Sequence, residues 1–200
     1  SSDVCSSDLR PVCLLASSHE GEEALWLQAL QTVSSGVHWL IVPRHPQRVD
    51  DVEVLLRQAG LTVSRRSTWG ETGPIAHADA QVWLGDSLGE MALYYSLADV
   101  ALLGGSFEPL GGQNLIEAAA CACPVVMGPH TFNFLEAAQQ AEQAGAAHRV
   151  QDMEMAVQEA QSLAQDPAAR QRRAAAALAF SQAHKGAARR VAGLVKEMLG

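Results

Sequence analysis

No apolar run in the sequence reaches the 18 or so residues that cross a bilayer. The longest candidate, residues 118–128, is too short and is interrupted by Pro124. Cysteine is scarce. Cys5, Cys13, Cys121 and Cys123 include no C-x-x-C pair, which excludes a disulfide framework and leaves small buried hydrophobes in a reducing cytoplasm. Basic side chains are missing from the middle of the chain: between Arg66 and Arg149 there is no Lys or Arg, against nine acids. The totals, 14 Lys+Arg against 22 Asp+Glu, give a net charge of −8 and argue against broad nucleic-acid binding. The opening residues lack the basic start and apolar core of a signal peptide. There is no G-x-S-x-G elbow and no P-loop lysine. Neither His19 nor His130 has a second histidine at zinc-like spacing, so no metal is expected.

What is present describes a globular chain. The hydrophobic fraction is 48% and the charged fraction 18%, far from the low-hydrophobicity, high-charge signature of disorder. The length predicts one domain. Residues 1–9 stand apart: Ser1-Ser2-Asp3-Val4 is nearly repeated by Ser6-Ser7-Asp8-Leu9. They are expected to be a foreign tail, with the domain running over 10–200. Half of the basic residues lie in the last 31 positions. They read as a solvated helical face or as contacts for anionic lipid or a partner domain.

Short apolar runs alternate with helical patterns. Strands are expected over 12–16, 37–42, 61–64, 81–84, 100–103, 124–127 and 146–150. Helices are expected after Ser17-Ser18, over 47–59, 88–98, 113–122 and 134–144, and in two or three pieces over 152–199, with breaks at Pro167 and Gly186. Continuous apolar strands alternating with helices predict a doubly wound, Rossmann-like parallel sheet. Ligands in such sheets bind beyond the carboxyl ends of the strands, which selects the loops 17–21, 43–48, 85–90 and 104–114.

These loops carry the candidate chemistry. Gly104-Gly105-Ser106 and Gly111-Gly112-Gln113 allow close backbone approach to a ligand, ahead of a helix start that offers N–H groups to phosphate. Asn114 and Glu117 share a helix face, and a carboxylate there suits the hydroxyl pair of a ribose. The bland alternative is a capped helix with a solvated Glu117. Pro43-Arg44-His45-Pro46, with Arg48, can aim a guanidinium at phosphate from a rigid turn, or leave Arg44 as a surface residue. In Gly85-Asp86-Ser87-Leu88-Gly89-Glu90-Met91, Glu90 caps its own helix or the main chain reads a base edge.

Taken in order, Ser17-Ser18-His19-Glu20-Gly21-Glu22-Glu23, Pro43-Arg44-His45-Pro46, the Gly85–Glu90 segment, Gly104-Gly105-Ser106, Gly111–Glu117 and Met127-Gly128-Pro129-His130-Thr131-Phe132-Asn133-Phe134 resemble the C-terminal half of the 3-deoxy-D-manno-octulosonic acid (Kdo) transferases of Gram-negative bacteria, over roughly residues 11–180. Gln113 stands where the family usually has His, and Ala118 where it often has Pro. The resemblance implies the C-terminal domain of a two-domain GT-B glycosyltransferase that moves Kdo from CMP-Kdo to a lipid A precursor at the cytoplasmic face of the inner membrane. It implies donor contacts from Pro43, Arg44, Leu88, Gly89, Glu90, Met91, Asn114, Leu115, Ile116 and Glu117, with Ser17, His45, Gly105, Ser106, Gly112 and Gln113 as secondary candidates. The acceptor site and general base belong to an N-terminal half, no catalytic residue is expected in this chain, and no cofactor is implied beyond the donor itself. Two rivals stand beside this reading: another GT-B enzyme using a UDP-sugar, and a nucleotide-binding module without catalysis.

Overall fold

The computed structural model describes residues 10–33 and 36–199; the tail 1–9 lies outside the described residues. Seven parallel strands form one sheet: β1 (Val12–Ser18), β2 (His38–Pro43), β3 (Val63–Arg65), β4 (Val82–Leu84), β5 (Val100–Leu103), β6 (Val125–Met127) and β7 (Ala147–Arg149), in the order β3-β4-β2-β1-β5-β6-β7. Seven helices flank it: α1 (Glu22–Leu30), α2 (Val49–Gln58), α3 (Met91–Leu97), α4 (Ile116–Ala120), α5 (Leu135–Gln143), α6 (Met153–Gln165) and α7 (Pro167–Leu199).

The central strands are apolar throughout because both faces are covered. Along β1, Leu14 and Ala16 face one core with Leu40, Trp83, Tyr94, Leu115 and Phe180. Cys13 and Leu15 face the other with Trp26, Trp39, Ile41, Leu56 and Val157. The alternation is the period-2 geometry of a strand buried between two helical layers. Strand β1 pairs with β2 on one side and β5 on the other, so the chain reverses its winding between β1 and β5. In sheets of this kind ligands gather at that switch point, beyond the carboxyl ends of the strands.

Several expected elements are shorter or differently bounded. The helix expected over 88–98 begins at Met91, because the hydroxyls of Ser87 and Tyr94 (2.6 Å apart) and the Glu90 carboxylate hold residues 87–90 in a turn. The helix expected over 113–122 covers only Ile116–Ala120; Ala122, at φ 55°, turns the chain toward Pro124. Serine does not cap α1: Ser18 Oγ donates to Glu23 Oε1 at 2.7 Å, and Gly21 occupies the cap position. Gly186 does not break α7, which runs through it.

Close approach at the switch point requires glycine. A Cβ on Gly104 would lie 2.2 Å from the Ser17 carbonyl oxygen and 2.4 Å from that of Ala16. Main chain cannot swing aside as a side chain can. Gly104→Ala should therefore cost about 1–3 kcal/mol of unfolding free energy, the usual range for overpacking. Urea denaturation checks this, and a loss below about 0.5 kcal/mol would show that the two strand ends separate easily.

Candidate functional site

The site is built on the loops at the rim of the sheet, and buried acids hold those loops in place. Glu22, fully buried at the start of α1, accepts hydrogen bonds from three main-chain amides: His19 (2.9 Å), Gly105 (2.8 Å) and Phe107 (3.2 Å). This ties the loop after β1 to the loop after β5. Burial pushes the Glu22 carboxyl up, against the opposing pull of its amide donors. Glu23, also buried, takes a two-pronged ion pair from Arg48 at 2.9 and 3.0 Å and the hydroxyl of Ser18. That network fixes the turn after β2.

These acids were legible in sequence only as favourable charges at a helix start. Their structural work alters two expectations. The amides of Gly105 and Phe107 are occupied by Glu22, so they do not offer themselves to a phosphate. Arg48 is committed to Glu23, leaving Arg44 as the cation of that turn. Arg44 is exposed and its side chain has no ion pair among the described residues; its main-chain N–H donates to the Ser18 carbonyl at 2.9 Å.

Around Arg44 several loops meet. The rings of His19 and His45 lie edge to face, 5.7 Å apart. His19 Nε2 is 2.9 Å from the Gln113 amide nitrogen. The Gly112 N–H donates to the Gly105 carbonyl at 2.7 Å. His19, Arg44, His45, Gly105, Gly112 and Gln113 thus form one cluster at the switch point, with Ser17 two residues before His19 near the end of β1. Pro43 ends β2 beneath it, buried, opposite Ser18.

The remaining expected residues flank the cluster. On one side the loop after β4 carries an exposed Leu88 and Gly89, with Glu90 and Met91 half-buried. Glu90 does not cap α3. It binds Arg66 at 3.0 Å and the Ser87 hydroxyl, and Arg66 also lies over the Trp69 ring at 5.5 Å. Sequence reasoning missed this cation. On the other side Asn114 and Glu117 are exposed and Ile116 is half-buried. Asn114 Oδ1 accepts from the Ile116 N–H at 3.0 Å, so it satisfies the first amide of α4 from just outside the cap residue Leu115. With its first amide taken and five residues of length, α4 is a weak source of dipole. Two side chains expected at the donor are structural instead. Leu115 is 1% exposed in the core, leaving only its main chain for a ligand. Ser106 is fully buried, donating to the Leu103 carbonyl at 2.5 Å and accepting from the Gly128 N–H at 2.8 Å. Arg149, overlooked in the sequence, secures the 128–131 loop through Gly128 O and Thr131 Oγ1, both at 3.0 Å, and pairs with Glu142.

Along the strand order β4-β2-β1-β5, the loops of Glu90, Arg44, His19 and Glu117 occupy about 14 Å of rim at the usual strand spacing. No hydrogen bond among the described residues links Glu90 or Glu117 to Arg44. Nor do the described residues hold a group of three His, Cys, Asp or Glu placed for a metal ion, or a helix long and apolar enough to cross a membrane.

The 3-deoxy-D-manno-octulosonic acid transferase of Bordetella pertussis is 48% identical over 96% of this chain. A crystal structure of the C-terminal CMP-Kdo binding domain of WaaA from Acinetobacter baumannii matches 88% of this chain and 91% of that one, with a TM-score of 0.78 and 32% identity. The chain belongs to the Kdo transferase family. It spans 45% of the length of the Bordetella protein. No family model matches the chain. Anabaena HepE, solved with UDP-glucose, shares the fold at a TM-score of 0.59 and 14% identity, over 87% of this chain and 44% of that one. The architecture is that of a GT-B glycosyltransferase domain, as the motifs implied.

Proposed function

We propose that this chain is the donor-binding half of an enzyme that transfers Kdo from CMP-Kdo to a lipid A precursor in lipopolysaccharide biosynthesis. The observation that carries the reading is Arg44: an exposed guanidinium with no acid partner among the described residues, at the switch point of the sheet, in a chain that matches a CMP-Kdo binding domain over nearly its whole length. In the proposed complex Arg44 takes the phosphate of CMP. The turn Leu88–Gly89, held by the Arg66–Glu90 pair, lines the base. The exposed carboxylate of Glu117 accepts the ribose hydroxyls, with Asn114 beside it. An acceptor hydroxyl displaces CMP from the anomeric carbon, and Arg44 stabilises the departing phosphate. A leaving group with one phosphate calls for no bridging metal on charge grounds, and the reading needs no other cofactor. The general base and the acceptor site fall to the remainder of the full-length protein, working at the cytoplasmic face of the inner membrane. The isolated chain is expected to bind CMP without transferring sugar.

Glu117→Ala should weaken CMP binding by about 1–3 kcal/mol, the cost of losing a charge-assisted hydrogen bond. Isothermal titration checks it, and unchanged affinity would remove Glu117 from the ribose. The helix loses no packing, because Glu117 is exposed.

A further inference from the structure

The donor named above carries two anionic groups: the phosphate of CMP and the carboxylate of an ulosonic acid, which is bonded to the anomeric carbon. Arg44 answers one charge. The switch-point cluster holds a further group able to become cationic, His19, which the proposed donor contacts leave without a role. We propose that His19 is an anion-binding residue of the donor site, held in place by Gln113 and Gly105, and that it gains a proton when the donor's anion arrives. The inference rests on the donor-site reading.

The geometry gives His19 a built seat. Its main-chain N–H donates to Glu22 at 2.9 Å and its carbonyl accepts from the Glu22 N–H at 3.1 Å, so the backbone is pinned on both sides. The ring packs over Gly105: a Cβ there would lie 3.3 Å from His19 Cδ2, and Gly105 has φ +71° besides. The Gln113 amide nitrogen, 2.9 Å from Nε2, can only donate, so the neutral ring carries its proton on Nδ1. On protonation the Gln113 amide turns its oxygen toward Nε2, so one side chain serves both states.

The charges around the ring set the linkage. From the turn after β2 come Arg44, His45 and Arg48; from the ring's own loop and α1 come Glu20, Glu22 and Glu23; from the β5 loop comes only the neutral Gln113. Glu22 and Glu23 are spent on amides and on Arg48. Partial burial, then His45, Arg44 and Arg48, hold the ring below the usual histidine range. An anion seated between His19 and Arg44 reverses that balance and favours the imidazolium. Binding of the donor is thereby coupled to proton uptake.

The test is isothermal titration of the 200-residue chain with CMP at about pH 6.5, near the ordinary histidine value, in two buffers of different ionisation enthalpy. The difference between wild type and His19→Gln cancels the titration of CMP's own phosphate. In whichever arm His19 meets its anion, CMP alone or free Kdo on the CMP-saturated chain, the wild type should take up more protons than His19→Gln and bind about tenfold more tightly. Gln113→Met, which spares the imidazole, should keep the excess uptake while weakening affinity. A further arm adds free Kdo to the CMP-saturated chain. If His19 serves the sugar carboxylate, the excess uptake appears in this arm; if it serves the phosphate, it appears with CMP alone. Equal affinity and equal proton counts for wild type and a folded His19→Gln in both arms would overturn the inference while leaving the CMP site standing. A wild type that binds no CMP would overturn both.

Discussion

Arg48→Ala should lower the unfolding free energy by about 3–5 kcal/mol, the cost of stranding a buried charge. Glu23 is 1% exposed, and both of its carboxylate oxygens are engaged by the Arg48 fork. Removing the guanidinium leaves Ser18 Oγ as the remaining side-chain donor to Glu23, and a single hydroxyl cannot replace a desolvated cation. The double variant Arg48→Ala/Glu23→Gln should recover much of the loss, since no charge is then left behind. Chemical denaturation of the three proteins measures this. A single-variant loss below about 1 kcal/mol, or no recovery in the double variant, would show that water reaches Glu23. The consequence for function is local. Arg48 also reaches the Ser18 carbonyl at 3.4 Å, so the turn that presents Arg44 loosens with it.

The second large effect is an acid weakness at the opposite end of β2. His38 is 3% exposed, lies against the Trp83 ring at 3.8 Å between centroids, and has a buried Nε2 with no hydrogen-bond partner among the described residues. Burial first, and the Arg10 guanidinium second, push its pKa down from 6.5 to about 4. Between those values the unfolded chain binds a proton that the folded chain refuses. The stabilisation is therefore complete above about pH 6.5 and is lost progressively as the pH falls toward 4. At one pKa unit per 1.36 kcal/mol, the full drop is about 3 kcal/mol. Carboxylates titrate below this range too, so the informative quantity is the difference from His38→Phe, which keeps a ring against Trp83 without a titrating group. Relative to that variant, the wild type should lose about 3 kcal/mol between pH 7 and pH 4. Parallel denaturation curves across the range would contradict the assignment.

The sequence exposed the layered architecture well, because strands buried on both faces must be apolar throughout. The runs around Leu14, Ile41 and Leu102 announce a parallel sheet without reference to any partner. From that sheet, the rule that ligands gather at the carboxyl ends of its strands selected the four loops that meet at the rim. What stayed hidden depends on long-range pairing. Glu22 and Gly105 are 83 positions apart, and two acids at a helix start look the same whether they face water or clamp a distant loop. Arg66 reaches Glu90 across 24 positions. Helix starts were placed too early at 88 and 113 because apolar periodicity continues through turns held by side-chain hydrogen bonds, which periodicity cannot register. Ser106 shows the same limit: a serine after two glycines reads as a ligand contact, and only the proximity of Gly128 reveals a strut between β5 and β6.

The most direct measurement is amide NMR of the labelled chain titrated with CMP and, separately, with UDP. The account predicts that CMP shifts the amides of residues 43–48, 85–91, 105 and 112–117, at lower concentration than UDP, with the β7 and α6 regions unmoved. Perturbations clustered away from this rim, or tighter binding of UDP at it, would contradict the assignment of a cytidine monophosphate site.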